Sequence, residues 1–179
     1  SMQEPTGGQK IKLWDPDKKS RYLTQGEAYK LFREASKILT LYYDPDTFRQ
    51  IYPWHHAAGD FIVRMGVDAL EMRLVTIRKY RSVMEAFDSD PIHPLTAMVY
   101  FLLNLTIRMR LDRMDGVGST IWIEDFAVKA TTQGFFDALD IMQHDKKFTL
   151  CSADEWVSLL QSFGLDEIET LLQSLCRLY

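Results

Sequence analysis

GDFIVRMGVDALEMRLV, residues 59–75, is the stretch on which the reading of the fold turns. Phe61, Ile62, Val63 and Met65 crowd strand-forming side chains together, and Gly66-Val67-Asp68-Ala69 supplies a turn. Beyond it Leu70, Met72 and Leu74 alternate with Glu71, Arg73 and Val75. A period of two marks a strand with one buried face, so the stretch predicts a strand–turn–strand hairpin near 60–77. A lone hairpin is marginal in water. It must therefore lean on its neighbours, and the neighbours read as helices.

Upstream, Thr24-Gln25-Gly26-Glu27 has the form of a capping box, and Ala28, Leu31, Phe32, Ala35, Ile38, Leu39 and Tyr42 follow at helical spacing. A helix is expected over about 25–43. Asp44-Pro45 reads as the cap and first position of a short second helix through Phe48 and Ile51 that ends before Pro53. Downstream, residues 82–90 read as a short helix, and Pro94 opens the strongest helix of the chain, apolar nearly all round and ended by Gly116 and Gly118. Ile121-Trp122-Ile123 reads as a brief extended piece. Helices are expected over about 124–142, from a second capping box at Ser152 and Glu155, and from Asp166 onward. Leu31, Phe32, Leu39, Leu102, Leu103, Phe135 and Trp156 are the expected core. The fold class expected is mostly α, a helical domain with one small β-hairpin. Residues 1–20 are expected to be a flexible arm, docked by Ile11, Leu13 and Trp14, and residues 21–179 a single domain.

The 179 residues are 46% hydrophobic and 26% charged, which suits a packed domain of ordinary composition. A net charge of −4 and a pI near 5.6 lack the basic footprint of a nucleic-acid binder, so no nucleic-acid partner is expected. No apolar run reaches the roughly 18 residues of a membrane span, and no membrane association is expected. Cys151 and Cys176 share no motif and fit a reducing compartment. The chain is therefore expected to be cytoplasmic.

Chemistry-bearing residues gather in one loop, Trp54-His55-His56-Ala57-Ala58-Gly59-Asp60. His55, His56 and Asp60 are the catalytic candidates, because an imidazole beside a carboxylate is an acid–base pair or a metal-binding pair. A structural role accounts for the same residues: His56 or Asp60 caps a turn, and Trp54 plugs the core. No paired histidines at helical spacing and no CxxC occur, so no metal and no cofactor are expected. Serine-elbow and phosphate-cradling glycine motifs are absent too. Arg108, Arg110 and Arg113 cluster at the end of the long helix. They read as a solvated helix end that suits the helix dipole, or as an anion-binding site.

The order of elements, helix, His-containing loop, strand, turn, strand, then mostly helices, resembles the C-terminal lobe of aminoglycoside phosphotransferase-like and choline kinase-like proteins. Gly59-Asp60-Phe61-Ile62-Val63 is similar to that family's metal-binding loop entering a strand, and Leu74-Val75-Thr76-Ile77 to the strand end that carries its second metal-binding aspartate. The resemblance spans about residues 24–142 and implies a kinase-like lobe stripped of its chemistry. Asp60 stands at the metal-binding asparagine, His55 at the catalytic aspartate and Thr76 at the second metal-binding aspartate. A hydroxyl is a poor substitute for the carboxylate that anchors Mg²⁺ on phosphates. The expected function is accordingly a non-catalytic binding or regulatory module, a degenerate kinase-like lobe with a protein or small-molecule partner. The alternative is an enzyme that uses the His55/His56/Asp60 loop on a small anionic, phosphorylated substrate.

Overall fold

Thr24 opens helix α1, Gln25–Leu41, through the expected capping box: its hydroxyl accepts from the Glu27 N–H, and the Glu27 carboxylate accepts from the Thr24 N–H at 2.8 Å. The computed structural model describes residues 2–4, 7–14, 20–54, 59–66, 70–86, 92–114 and 118–176. Among these, α1 buries Ala28, Leu31, Phe32, Ala35 and Leu39 against helix α3, Phe126–His144. The two approach closely at Gly134, where a Cβ would stand 2.1 Å from the Arg33 carbonyl oxygen. The glycine that weakens α3 as a helix former is the residue that lets α1 reach it. Ser36 Oγ donates to the Thr131 carbonyl across this contact, and Arg33 grips Asp137 with two guanidinium nitrogens.

Helix α2, Pro94–Arg110, begins with proline behind His93, whose Nδ1 accepts from the Leu95 N–H. It brings Met98, Phe101, Leu102 and Leu105 into the same core. Helix α4, Ala153–Ser162, starts from the capping box of Ser152 and Glu155, and fixes Trp156, fully buried, beside Phe135 at 6.1 Å. Helix α5, Leu165–Cys176, is capped two residues earlier than expected. Gly164 supplies the carbonyl that receives the Ile168 N–H, its own N–H goes to Glu167, and Asp166 sits inside the first turn. Of the expected core residues Leu31, Phe32, Leu39, Leu102, Phe135 and Trp156 are buried, and Leu103 is partly buried against them.

The hairpin forms as the sequence predicts. Strands β6, Phe61–Met65, and β7, Leu70–Leu74, pair antiparallel with Phe61 opposite Leu74 and Met65 opposite Leu70. Val63, Met65, Leu70, Met72 and Leu74 lean on the helical core, while Ile62, Arg64, Glu71 and Arg73 face out.

The expected class, mostly α with one small hairpin, is overturned. The described residues hold five α-helices and five two-stranded antiparallel pairings, an α+β architecture. Besides the hairpin, β1 (Met2–Glu4) pairs with β2 (Gly7–Lys10), β3 (Lys12–Leu13) with β4 (Arg21–Tyr22), β5 (Arg49–Ile51) with β8 (Tyr80–Ser82), and β9 (Leu111–Arg113) with β10 (Thr120–Trp122). The expected short helix after Asp44 is a turn and then β5. The Asp44 carboxylate accepts from the N–H groups of Asp46 and Thr47 and from the Thr47 hydroxyl, which holds residues 44–47 as a turn. Phe48 follows at a φ of 57°, which breaks helical continuation. The helix expected over 82–90 is reduced, in the described part, to a 3₁₀ turn at Val83–Ala86, and α2 stops at Arg110, before the glycines, because Leu111–Arg113 is drawn into pairing with Thr120–Trp122. In the N-terminal region Ile11 and Leu13 pack on the core, Trp14 is exposed, and Gln9 exchanges hydrogen bonds with Trp122 and Glu124. No described helix is long and apolar enough to cross a membrane.

Candidate functional site

Asp60 closes the candidate loop, immediately before β6, and the fold takes it inside. It is 1% exposed, and both of its carboxylate oxygens accept from Arg78: Oδ1 from Nη2 at 3.0 Å and Oδ2 from Nε at 3.2 Å. This fork-to-fork pairing is the geometry guanidinium and carboxylate prefer. Donating these hydrogen bonds to Asp60 raises the pKa of Arg78, whose side chain remains about 43% exposed and covers the carboxylate from the solvent side. The Asp60 carbonyl also accepts the Val75 N–H at 2.8 Å and the Thr76 N–H at 3.4 Å. The loop end and the end of β7 are therefore tied together by backbone and side chain at once. Trp54 is buried and meets Phe61 edge-on, the plugging role the structural reading gives it. His55 and His56 lie outside the described residues.

The three arginines of the α2 terminus do not share one environment. Arg108 is half-buried, with its guanidinium carbon 4.9 Å from the centre of the Tyr52 ring. Arg110 leaves the helix on a different side. Its Nε donates to the Ile123 carbonyl, its Nη2 lies 3.2 Å from Asp125, and its guanidinium packs on Trp122. Arg113 is exposed on β9 opposite Thr120. Residues two apart on a helix point to nearly opposite sides, which separates Arg108 from Arg110.

What Arg108 does meet was not legible from its own neighbourhood in the sequence. Arg81, on β8, brings its guanidinium carbon to 5.2 Å from the same Tyr52 ring. Gln50 is opposite Arg81 in the β5–β8 register, and its Oε1 accepts from Asn104, one helical turn before Arg108 on α2. Gln50, Tyr52 and Asn104 are buried. A period-two reading of residues 49–52 against 80–82 could have found this cluster, but the Asp44-Pro45 helix signal masks it.

An open cleft of about 760 Å³ lies between the first turns of α1 and α3, bordered by Gln25, Tyr29, Asp125, Phe126 and Lys129. None of the candidate residues borders it. No group of three or more histidine, cysteine or carboxylate side chains gathers as a metal site among the described residues. Cys151 and Cys176 are both free thiols, and burial pushes the pKa of Cys151 up, away from the reactive thiolate. Compared with known proteins, the chain matches no family model, no curated protein sequence and no solved structure.

Proposed function

We propose that this chain is a non-catalytic binding or regulatory module built on a degenerate kinase-like C-terminal lobe. The observation that carries the reading is the Asp60–Arg78 pair. Asp60 is the carboxylate that the resemblance places at a metal-binding position, and here a guanidinium already occupies both of its oxygens. A cation from the chain itself stands where a divalent ion would have to bind. Thr76, at the position of the second metal-binding carboxylate, lies beside Asp60 through its backbone N–H and brings a hydroxyl instead of a charge. That adjacency supports the resemblance, and the residue types support the loss of its chemistry. Nothing among the described residues favours the alternative in which Asp60 works as a proton acceptor, since a carboxylate sealed under an arginine does not reach a substrate proton.

Calorimetric titration with ATP, run with and without Mg²⁺, tests the reading. The expected result is that Mg²⁺ adds nothing to nucleotide binding and that no phosphoryl transfer or ATP hydrolysis is detected. Micromolar, Mg²⁺-dependent binding accompanied by turnover overturns it.

A further inference from the structure

Residues 70–82 run from one β-ladder into another with neither turn nor bend. The first part is β7, paired with β6, and the last is β8, paired with β5. Residues 75–79 join them. The N–H groups of Val75 and Thr76 donate to the Asp60 carbonyl, and the Lys79 carbonyl accepts from the Tyr52 N–H at 3.1 Å. Between these anchors the N–H groups of Ile77, Arg78 and Lys79 make no hydrogen bond among the described residues. Nor do the carbonyls of Thr76, Ile77 and Arg78. Every residue from 75 to 81 is exposed, Val75 and Ile77 at 52% and Tyr80 at 45%. The fold thus pins a short straight segment at both ends, leaves its backbone open and sets strand-forming side chains along it. Open N–H and C=O groups on such a segment are a template for a further strand.

Charge selects the strand. Residues 73–81 hold Arg73, Arg78, Lys79 and Arg81 and no carboxylate, in a chain of net charge −4. Arg78 is taken by Asp60, but Arg73, Lys79 and Arg81 make no ion pair among the described residues. Cations along an open edge repel a second copy of the same segment and attract an acidic one. We infer that residues 75–81 are a docking strip for an acidic peptide of a partner protein, which adds to it as an extended strand. The open backbone groups supply the ladder, Lys79 and Arg81 attract the carboxylates, and Val75 and Ile77 offer apolar contact. A nucleic acid or an anionic membrane would meet the cations but has no peptide backbone to pair with the open N–H and C=O groups. The proposal rests on the reading of the chain as a binding module and names the partner class of that module.

The test is fluorescence anisotropy of a labelled peptide of alternating glutamate and valine, titrated with the full chain without nucleotide or Mg²⁺. Saturable binding is expected. The same peptide N-methylated at every internal residue keeps its charge and loses its backbone donors, and should bind about tenfold more weakly or worse. Ile77→Pro removes an N–H that bonds nothing among the described residues, so it should block binding while leaving the melting temperature nearly unchanged. Lys79→Glu, which leaves the backbone intact, should weaken binding about tenfold as well, and Lys129→Glu, the same reversal on an exposed position of α3, should not. Absence of saturable binding by the parent chain overturns the proposal, as does equal binding of the N-methylated peptide or an equal loss in Lys129→Glu. Binding to single-stranded DNA or to phosphatidylserine vesicles with none to the peptide also overturns it. The two readings fail separately: Mg²⁺-dependent turnover of ATP would defeat the non-catalytic reading and leave this strip standing, whereas failure of peptide binding defeats the strip alone.

Discussion

Tyr43 and the Asp60–Arg78 pair show how single residues divide between structure and chemistry. Tyr43 is buried against Phe101, ring centres 4.5 Å apart, and its hydroxyl has no hydrogen-bond partner. An unsatisfied buried hydroxyl costs about 1–3 kcal/mol, so Tyr43→Phe should leave stability unchanged or raise it by about 1 kcal/mol, measured by denaturant unfolding. A clear loss of stability in that variant would mean the hydroxyl is bonded after all. Asp60 and Arg78 make the opposite case. Removing the arginine strands a carboxylate that is 1% exposed, whereas Asp60→Asn removes the charge and keeps the shape. Arg78→Ala should therefore lower the melting temperature more than Asp60→Asn does, and the double variant should recover part of the loss. Additive effects of the two changes would show that the pair is not coupled.

At the scale of elements, the sequence was legible where a local rule and the tertiary environment agree. Thr24 and Ser152 announce their helices because a capping box is complete within four residues, and the hairpin announces itself because Phe61–Met65 and Leu70–Leu74 each bury one face. Ser152→Ala should cost about 1 kcal/mol in unfolding experiments by removing the acceptor for the Glu155 N–H. Most short strands were not legible: Arg49–Ile51 and Leu111–Arg113 are too brief to show a period, and only the folded molecule reveals their pairing, whereas Thr120–Trp122 overlaps the extended piece expected at Ile121-Trp122-Ile123. Asp44-Pro45 misled for a related reason, since aspartate followed by proline starts a turn as readily as a helix. The candidate site divides the same way. Asp60 was visible as a loop carboxylate, but its partner Arg78 is on the far side of the hairpin, and Arg81, Gln50 and Tyr52 reach Arg108 only through the β5–β8 pairing. Gly134 is a poor helix former by residue type, and its contact with α1 appears only in the folded molecule. Gly134→Ala would drive a methyl into the Arg33 carbonyl, and the expected loss is about 3 kcal/mol, the upper end of overpacking costs. A variant as stable as the parent would show that α1 can yield there.

Across the whole molecule, the shifted carboxylates set how stability depends on pH. The Arg21 guanidinium and the Thr24 N–H hold the Glu27 carboxyl down at about 2, from an ordinary value of 4.5. Bonds from Thr47 lower Asp44, and the Ser152 N–H and hydroxyl lower Glu155. At Asp137 burial pulls upward as the largest single influence, but Arg33 and Gln133 together outweigh it and the net shift is down. In each case the folded chain holds its proton less tightly than the unfolded chain does. The stabilisation is therefore present above the unfolded values and lost as pH falls through the folded ones, which for Glu27 is the interval from 4.5 down to about 2. At the alkaline end the sign reverses. Burial raises Tyr43 above its ordinary value of 10.0, so the unfolded chain ionises first and stability falls as pH climbs past that value. Melting temperature should thus be highest between these limits and decline on both sides. Accumulating positive charge also destabilises acidified proteins, so the acid limb needs a control. Glu27→Gln should flatten the decline between 4.5 and about 2, whereas Asp140→Asn, which removes the same charge from an exposed position on α3, should leave its slope nearly unchanged. Equal flattening in both variants would assign the acid limb to net charge and remove the capping box from the account.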